Sequence, residues 1–271
     1  MVASIRLENT AFSYGEKEVF LGISLEVHKG EMVSILGSNG CGKTTLLRCI
    51  QGELRLKQGR VLLEGKNLSS MTPVERARKI GMVFQEHSAL FPYPVLEVVR
   101  MGRAPHLGFF ARPGARDTNI SEHALERVGV LHLRDKAYTQ ISGGERQLVL
   151  IARTLAQEPE IMLLDEPTSH LDFKNQVLVL KIMERLSKEG LSIVMTSHYP
   201  NHAFLFSSRI ALMAHGKFHA VGNPDEVISP ENLGAIYGME VRILTANDPE
   251  SGDIIKFCVP VRKDQAELTH N

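Results

Sequence analysis

The chain has 271 residues, enough for one large domain or a domain carrying a sizeable insertion at about 150 residues per domain. Lys+Arg and Asp+Glu both number 31, so there is no broad positive field to attract nucleic acid, and DNA or RNA is excluded as the expected partner. Hydrophobic residues at 43% beside 23% charged fit a soluble globular protein, and no run reaches the roughly 18 apolar residues of a spanning helix.

In chain order, the start MVASIRLENTAFSYG lacks the pattern of a secretory signal. Ile5 and Leu7 suggest a first strand, and strict alternation at Val19, Leu21, Ile23, Leu25 and Val27 predicts a half-buried second one. The apolar run MVSIL at 32–36 leads into glycines and then into the helix-compatible TTLLRCIQGEL. Between 86 and 145, Pro92, Pro94, Pro105 and Pro113 punctuate helical stretches with no clear strand, which reads as a helical insertion. Apolar runs at 161–164, 191–195 and 210–213, separated by helical stripes such as Phe173, Val177, Leu180 and Met183, predict a parallel sheet covered on both faces. Two β-like runs, 241–244 and 254–259, flank the turn-rich NDPESGD as a terminal hairpin before the polar tail KDQAELTHN. Cys41, Cys49 and Cys258 are odd in number and lack metal-ligand spacing, so free thiols in a reducing, cytoplasmic compartment are expected.

The chemistry begins with Gly37, Ser38, Asn39, Gly40, Cys41, Gly42, Lys43 and Thr44, followed by Thr45, which matches G-x-x-x-x-G-K-[ST] between a buried strand and a helix. Glycines let backbone N–H groups wrap phosphate oxygens, Lys43 neutralises the β/γ-phosphates and Thr44 is placed to ligate Mg²⁺. A second element, Asp165 and Glu166, ends the apolar run IMLL. Asp165 is expected to hold Mg²⁺, and Glu166 to orient and polarise the attacking water. Taken singly, a glycine-rich turn and an acidic strand end are ordinary structure. Together they describe a P-loop nucleotide hydrolase.

Ile141, Ser142, Gly143, Gly144, Glu145, Arg146 and Gln147 precede the helix-compatible LVLIARTLAQ. Here the sequence resembles the ATP-binding-cassette ATPase family, whose signature is LSGGQ; Ile141 and Glu145 replace the commoner Leu and Gln. The resemblance implies ATP and Mg²⁺ as cofactors, and a head-to-tail homodimer in which Ser142, Gly143, Gly144 and Glu145 of one copy close over nucleotide on the other. It further implies that Tyr14 stacks on adenine, that Gln85 approaches Mg²⁺ and the attacking water, and that His198 contacts the γ-phosphate. Ser169, His170, Leu171 and Asp172 resemble a loop crossing the dimer interface, although Asp172 is equally suited to a helix N-cap. The expected fold is α/β: a P-loop NTPase core with a mainly parallel sheet, an N-terminal antiparallel β subdomain and an inserted helical subdomain. The expected division is core at 1–85 and 146–240, helical subdomain at 86–145, and C-terminal extension and tail at 241–271.

Two functional classes compete. The stretch from Val95 to Gly108 and the run Tyr237 to Arg242 resemble importers of iron chelates, haem and cobalamin. Leu90, Phe91, Tyr93, Phe109 and Phe110 offer either a docking surface for a permease helix or the core of a small helical domain. That resemblance implies integral membrane permease subunits, an extracytoplasmic binding protein and a peripheral position on the cytoplasmic face of the inner membrane. The alternative is a soluble single-cassette ATPase of the cluster-assembly kind. The transported compound is not encoded in this subunit, which leaves iron-siderophore, haem, cobalamin and oxyanions such as molybdate open.

Overall fold

The computed structural model describes residues 3–85, 91–108, 110–247, 252 and 254–261. Leu90, Phe109, most of the 248–253 turn and the tail from 262 lie outside them. Strand β1 (Ile5–Tyr14) pairs antiparallel with β2 (Lys17–Val27), and the register Ile5↔Val27, Leu7↔Leu25 puts all four side chains in the core. The predicted alternation along β2 fails at one point. Between Thr10↔Ile23 and Phe12↔Phe20 the second strand carries an extra residue, with Gly22 at φ 71°. That bulge inverts the faces of the residues just before it: Phe20 is fully buried and Leu21 is 38% exposed, while Ile23, Leu25 and Val27 after it are buried as predicted.

Strand β3 (Met32–Leu36), buried throughout, leads into α1 (Lys43–Gln51). Strands β4 (Gln58–Leu63) and β5 (Lys66–Asn67) complete an antiparallel sheet of order β2-β1-β4-β5. Helix α2 (Pro73–Lys79) starts at a capping box between Thr72 and Glu75 and runs into β6 (Ile80–Val83). Next come α3 (Val95–Arg100), α4 (Ala115–Arg127) and α5 (Gly143–Ala156), where the described residues form no strand, only a bridge between Pro94 and Ala137.

The remainder alternates: β7 (Ile161–Leu164), α6 (Phe173–Lys188), β8 (Ser192–Ser197), α7 (Pro200–Phe206) and β9 (Arg209–Ala214). Then follow β10 (Lys217–Gly222), α8 (Pro224–Val227), α9 (Pro230–Tyr237), β11 (Val241–Asn247) and β12 (Ile254–Pro260). The second sheet has the order β10-β9-β3-β8-β7-β6, parallel except for the β9–β10 hairpin. Its parallel strands are apolar runs because helices cover both faces. The loops after β3, β6, β7 and β8 therefore leave from the same edge of the sheet.

Within α6, Leu180 and Met183 are buried as their spacing predicts, but Phe173 is 79% exposed, because the first turn projects beyond the core after its Asp172 cap. The helical segment shares a core with α5 and α6, built from Val95, Val99, Leu125, Leu148 and Ile151 among others. Arg103 adds a buried polar tie, donating to Asp117 (3.0 Å), to the Ala156 carbonyl (2.7 Å) and to Glu158 (2.6 Å). A buried charge persists only when paired in this way. The predicted terminal hairpin is present, β11 and β12 pairing antiparallel from Val241↔Pro260 to Asn247↔Ile254. Asn201 on α7 docks it, accepting from the Cys258 N–H (2.7 Å) and donating to the Cys258 carbonyl (3.2 Å).

Candidate nucleotide site

The phosphate loop spans 37–42 between β3 and α1. A Cβ on Gly37 would fall 2.3 Å from the Met213 carbonyl oxygen, so only glycine fits. Gly42 holds φ 108° directly before the helix, and α1 starts with no side-chain cap. The first-turn N–H groups at Lys43, Thr44 and Thr45 thus face outward without a side-chain acceptor, an arrangement that suits an anion. Lys43 is 5% exposed and folds back, its Nζ donating to the carbonyls of Gly37 (2.8 Å) and Ser38 (3.0 Å). Ser38, Asn39 and Gly40 are exposed at the loop crest. Cys41 packs inward, and burial pushes its thiol up against the opposing pull of Lys43, which keeps it neutral.

The acids come from the neighbouring strands. Asp165, 3% exposed, accepts the Thr44 hydroxyl at 3.1 Å. Glu166 adopts φ 46°, in the left-handed region, and its carboxylate lies 3.9 Å from Lys43 Nζ. Gln85, past the end of β6, donates its amide to Glu166 Oε2 at 3.1 Å. His198, just past β8, places Nδ1 at 3.3 Å from the same oxygen, in ion-pair range but without hydrogen-bond alignment. Lys43, Thr44, Gln85, Asp165, Glu166 and His198 are far apart in sequence and meet at the carboxyl end of the parallel strands, where open α/β sheets bind ligands.

These groups fit Mg·ATP. The uncapped helix start and buried ammonium match a polyphosphate, and a hydroxyl already bonded to a carboxylate is the oxygen donor set of a hard divalent cation. Tyr14 is half exposed at the end of β1, its ring edge-on to Phe12 at 4.9 Å. Val19 of β2 lies 3.1 Å from where a Cβ on Gly42 would stand, so the antiparallel sheet abuts the phosphate loop.

The signature segment stands apart. Ser142 accepts the Glu145 N–H at 3.3 Å, and the Glu145 carboxylate takes the Ser142 N–H at 2.7 Å, closing a capping box on α5. That backbone N–H, with the Ser142 hydroxyl, holds the Glu145 carboxyl below its ordinary range. A Cβ on Gly144 would meet the Asn175 side chain at 2.6 Å, so the starts of α5 and α6 are adjacent. Asp172 is the N-cap of α6, accepting from the Asn175 N–H at 2.8 Å. Among the described residues, no hydrogen bond or ion pair joins 142–145 to the phosphate loop.

Sequence reasoning missed Thr196, which bonds both acids from β8. Its only signal is a hydroxyl directly after the apolar run Ile193–Met195, two residues before His198.

The family model described as ABC transporter matches residues 20–169. The hemin import ATP-binding protein of Pseudomonas aeruginosa is 40% identical over 253 residues, covering 92% of this chain and 97% of the relative. The ferric enterobactin transport ATP-binding protein of Escherichia coli is 35% identical over 252 residues, covering 93% and 92%. Among solved structures, an inward-facing ABC transporter assigned to the metal-chelate type superposes with a TM-score of 0.86 at 33% identity, covering 97% of this chain and 98% of that one. With a P-loop NTPase fold and a site that fits Mg·ATP, the chain belongs to the ABC transporter family as one of its ATP-hydrolysing subunits.

Proposed function

We propose that this subunit powers a membrane importer for a metal chelate such as an iron-siderophore, haem or cobalamin. The observation that carries this is the end-to-end match to a hemin import ATPase, 97% of whose length is covered; the metal-chelate-type structural neighbour supports it. No described helix is long and apolar enough to cross a membrane. The importer reading places the subunit peripherally on the cytoplasmic face, working through permease subunits, with an extracytoplasmic protein delivering the cargo. Phe91 (61% exposed), Tyr93 (49%) and Phe110 (93%) belong to the surface offered to a permease helix. The chain divides into a core of 1–85 and 146–240, a helical subdomain of 86–145 and an extension of 241–271.

Mg·ATP supplies the scissile phosphoanhydride and a cation that spreads its charge. Backbone N–H groups of 37–45 and Lys43 bind the phosphates, and Tyr14 faces the adenine. Thr44 and Asp165 hold the cation, with Gln85 beside it. Glu166 orients and polarises water, and His198 positions the γ-phosphate end. Two copies pair head to tail, so that Ser142, Gly143, Gly144 and Glu145 of one complete the site of the other. Closure draws the helical segments inward, and hydrolysis resets them.

Glu166→Gln is expected to retain ATP binding, lose turnover by about a hundredfold or more, and accumulate as an ATP-bound dimer. Parent-level turnover would remove Glu166 from the mechanism. Gentle detergent extraction of native membranes should recover a polytopic permease with this chain. Recovery from the soluble fraction with soluble partners would favour the cluster-assembly kind of cassette instead.

A further inference from the structure

Thr196 is fully buried on β8. Its hydroxyl donates to Asp165 Oδ1 at 2.7 Å and accepts the Glu166 N–H at 2.9 Å. One side chain thus touches both acids at the end of β7. The parallel register that sets Leu164 opposite Met195 brings Thr196 beside them. Two other buried threonines, Thr10 and Thr154, satisfy their hydroxyls on backbone carbonyls, those of Ile23 and Leu150. Thr196 instead gives its hydrogen to a carboxylate, on the same oxygen that accepts Thr44 at 3.1 Å. Its acceptance of the Glu166 N–H falls at a residue whose φ of 46° is unfavourable for any side chain with a Cβ and persists only where neighbours hold it.

We propose that Thr196 is a positioning residue for ATP hydrolysis. Its donated hydrogen bond fixes the Asp165 carboxylate against Thr44. The bond it accepts holds the left-handed turn that brings the Glu166 carboxylate within reach of Gln85, Lys43 and His198. The inference rests on the roles assigned above to Asp165 and Glu166.

The test compares Thr196→Val, close in shape without the hydroxyl, with Thr196→Ser, which keeps it, in the full chain. ATP affinity is measured in Mg²⁺ and in EDTA, alongside kcat, KM and thermal unfolding. Thr196→Val should lower kcat by about tenfold or more and shrink the gain in ATP affinity that Mg²⁺ confers. ATP affinity in EDTA should stay within about twofold of the parent, and Thr196→Ser should recover most of the loss. Should the valine variant not fold, Thr196→Ala replaces it against the same serine control. Parent-like kcat and Mg²⁺ response in the hydroxyl-free variant would overturn the proposal. So would equal impairment of the valine and serine variants, since that outcome makes the residue a packing element. Glu166→Gln run in parallel separates the two layers: if it turns over normally the assignment of Glu166 has failed, and if it is dead while Thr196→Val is active only the role of Thr196 has.

Discussion

Helices α1 and α5 both begin at glycine-bearing turns, and they begin in opposite ways. At α1, Gly42 at φ 108° provides no side-chain cap, and the side chain that bonds back to the loop carbonyls is a cation, Lys43. At α5, Ser142 and Glu145 satisfy each other reciprocally, so the helix start is already closed by a carboxylate of its own chain. The glycines differ too. Gly37 is dictated from within, because a Cβ there would strike the Met213 carbonyl, whereas Gly143 has nothing within 4 Å of a built Cβ and no positive φ. Helix propensity gives glycine no advantage over alanine, so a glycine at the first helical position that the fold does not require is accounted for by a close approach from outside the chain. On the function proposed above, one helix start takes a ligand held by this copy, and the other a surface brought by a second.

Four experiments would break or sharpen that contrast. The largest effect is expected at Lys43→Ala, which removes the buried cation; loss of charge-assisted bonds of about 1.5–3 kcal/mol should weaken ATP binding roughly ten- to a hundredfold, read by equilibrium binding of a fluorescent nucleotide. A variant that binds like the parent would remove the phosphate loop from its assigned role. Next, Gly143→Ala should leave the unfolding midpoint unchanged within about 0.5 kcal/mol yet lower ATP turnover by about tenfold and weaken ATP-dependent dimerisation in sedimentation. If turnover survives, nothing approaches that face. Ser142→Ala should cost about 1 kcal/mol of stability in chemical denaturation, while Ser38→Ala in the exposed loop crest should cost almost nothing.

The smallest effect concerns pH. The Glu145 carboxyl is held below its ordinary range in the folded chain by the Ser142 N–H. A carboxyl depressed in the folded state contributes stability above its unfolded value and loses it as pH falls through the folded value. The stability gap between the parent and Glu145→Ala should therefore be full near neutrality and close in acid, below the ordinary carboxylate range. A gap that widened on acidification would contradict the capping box.

Much of this was legible locally. The strand-loop-helix of 32–51 follows from an apolar run, glycines whose φ no other residue tolerates, and helix formers after them. Asp172 was legible as one of two readings, an interface loop or a cap, and the cap is local because its side chain bonds the N–H three residues ahead. The β2 alternation misled at Leu21, since a single bulge, set by pairing with β1, inverted the face. Phe173 misled because helical spacing does not say where a helix leaves the core. Arg103 and Asn201 gave no signal at all, as their partners at 156–158 and 258 lie more than fifty residues away.

By itself, then, the sequence determined which residue types can bind phosphate and cation, where strands and helices start, and that each capped turn closes on itself, because those outcomes depend on φ preferences, side-chain reach and periodicity within a few residues. Only the tertiary structure decided that β3 lies between β8 and β9, with β7 and β6 beyond. That strand order brings Lys43, Gln85, Asp165, Glu166 and His198 to one edge and sets Thr196 beneath both acids. Strand order is settled by burial of whole apolar faces across the sheet, which no local window contains.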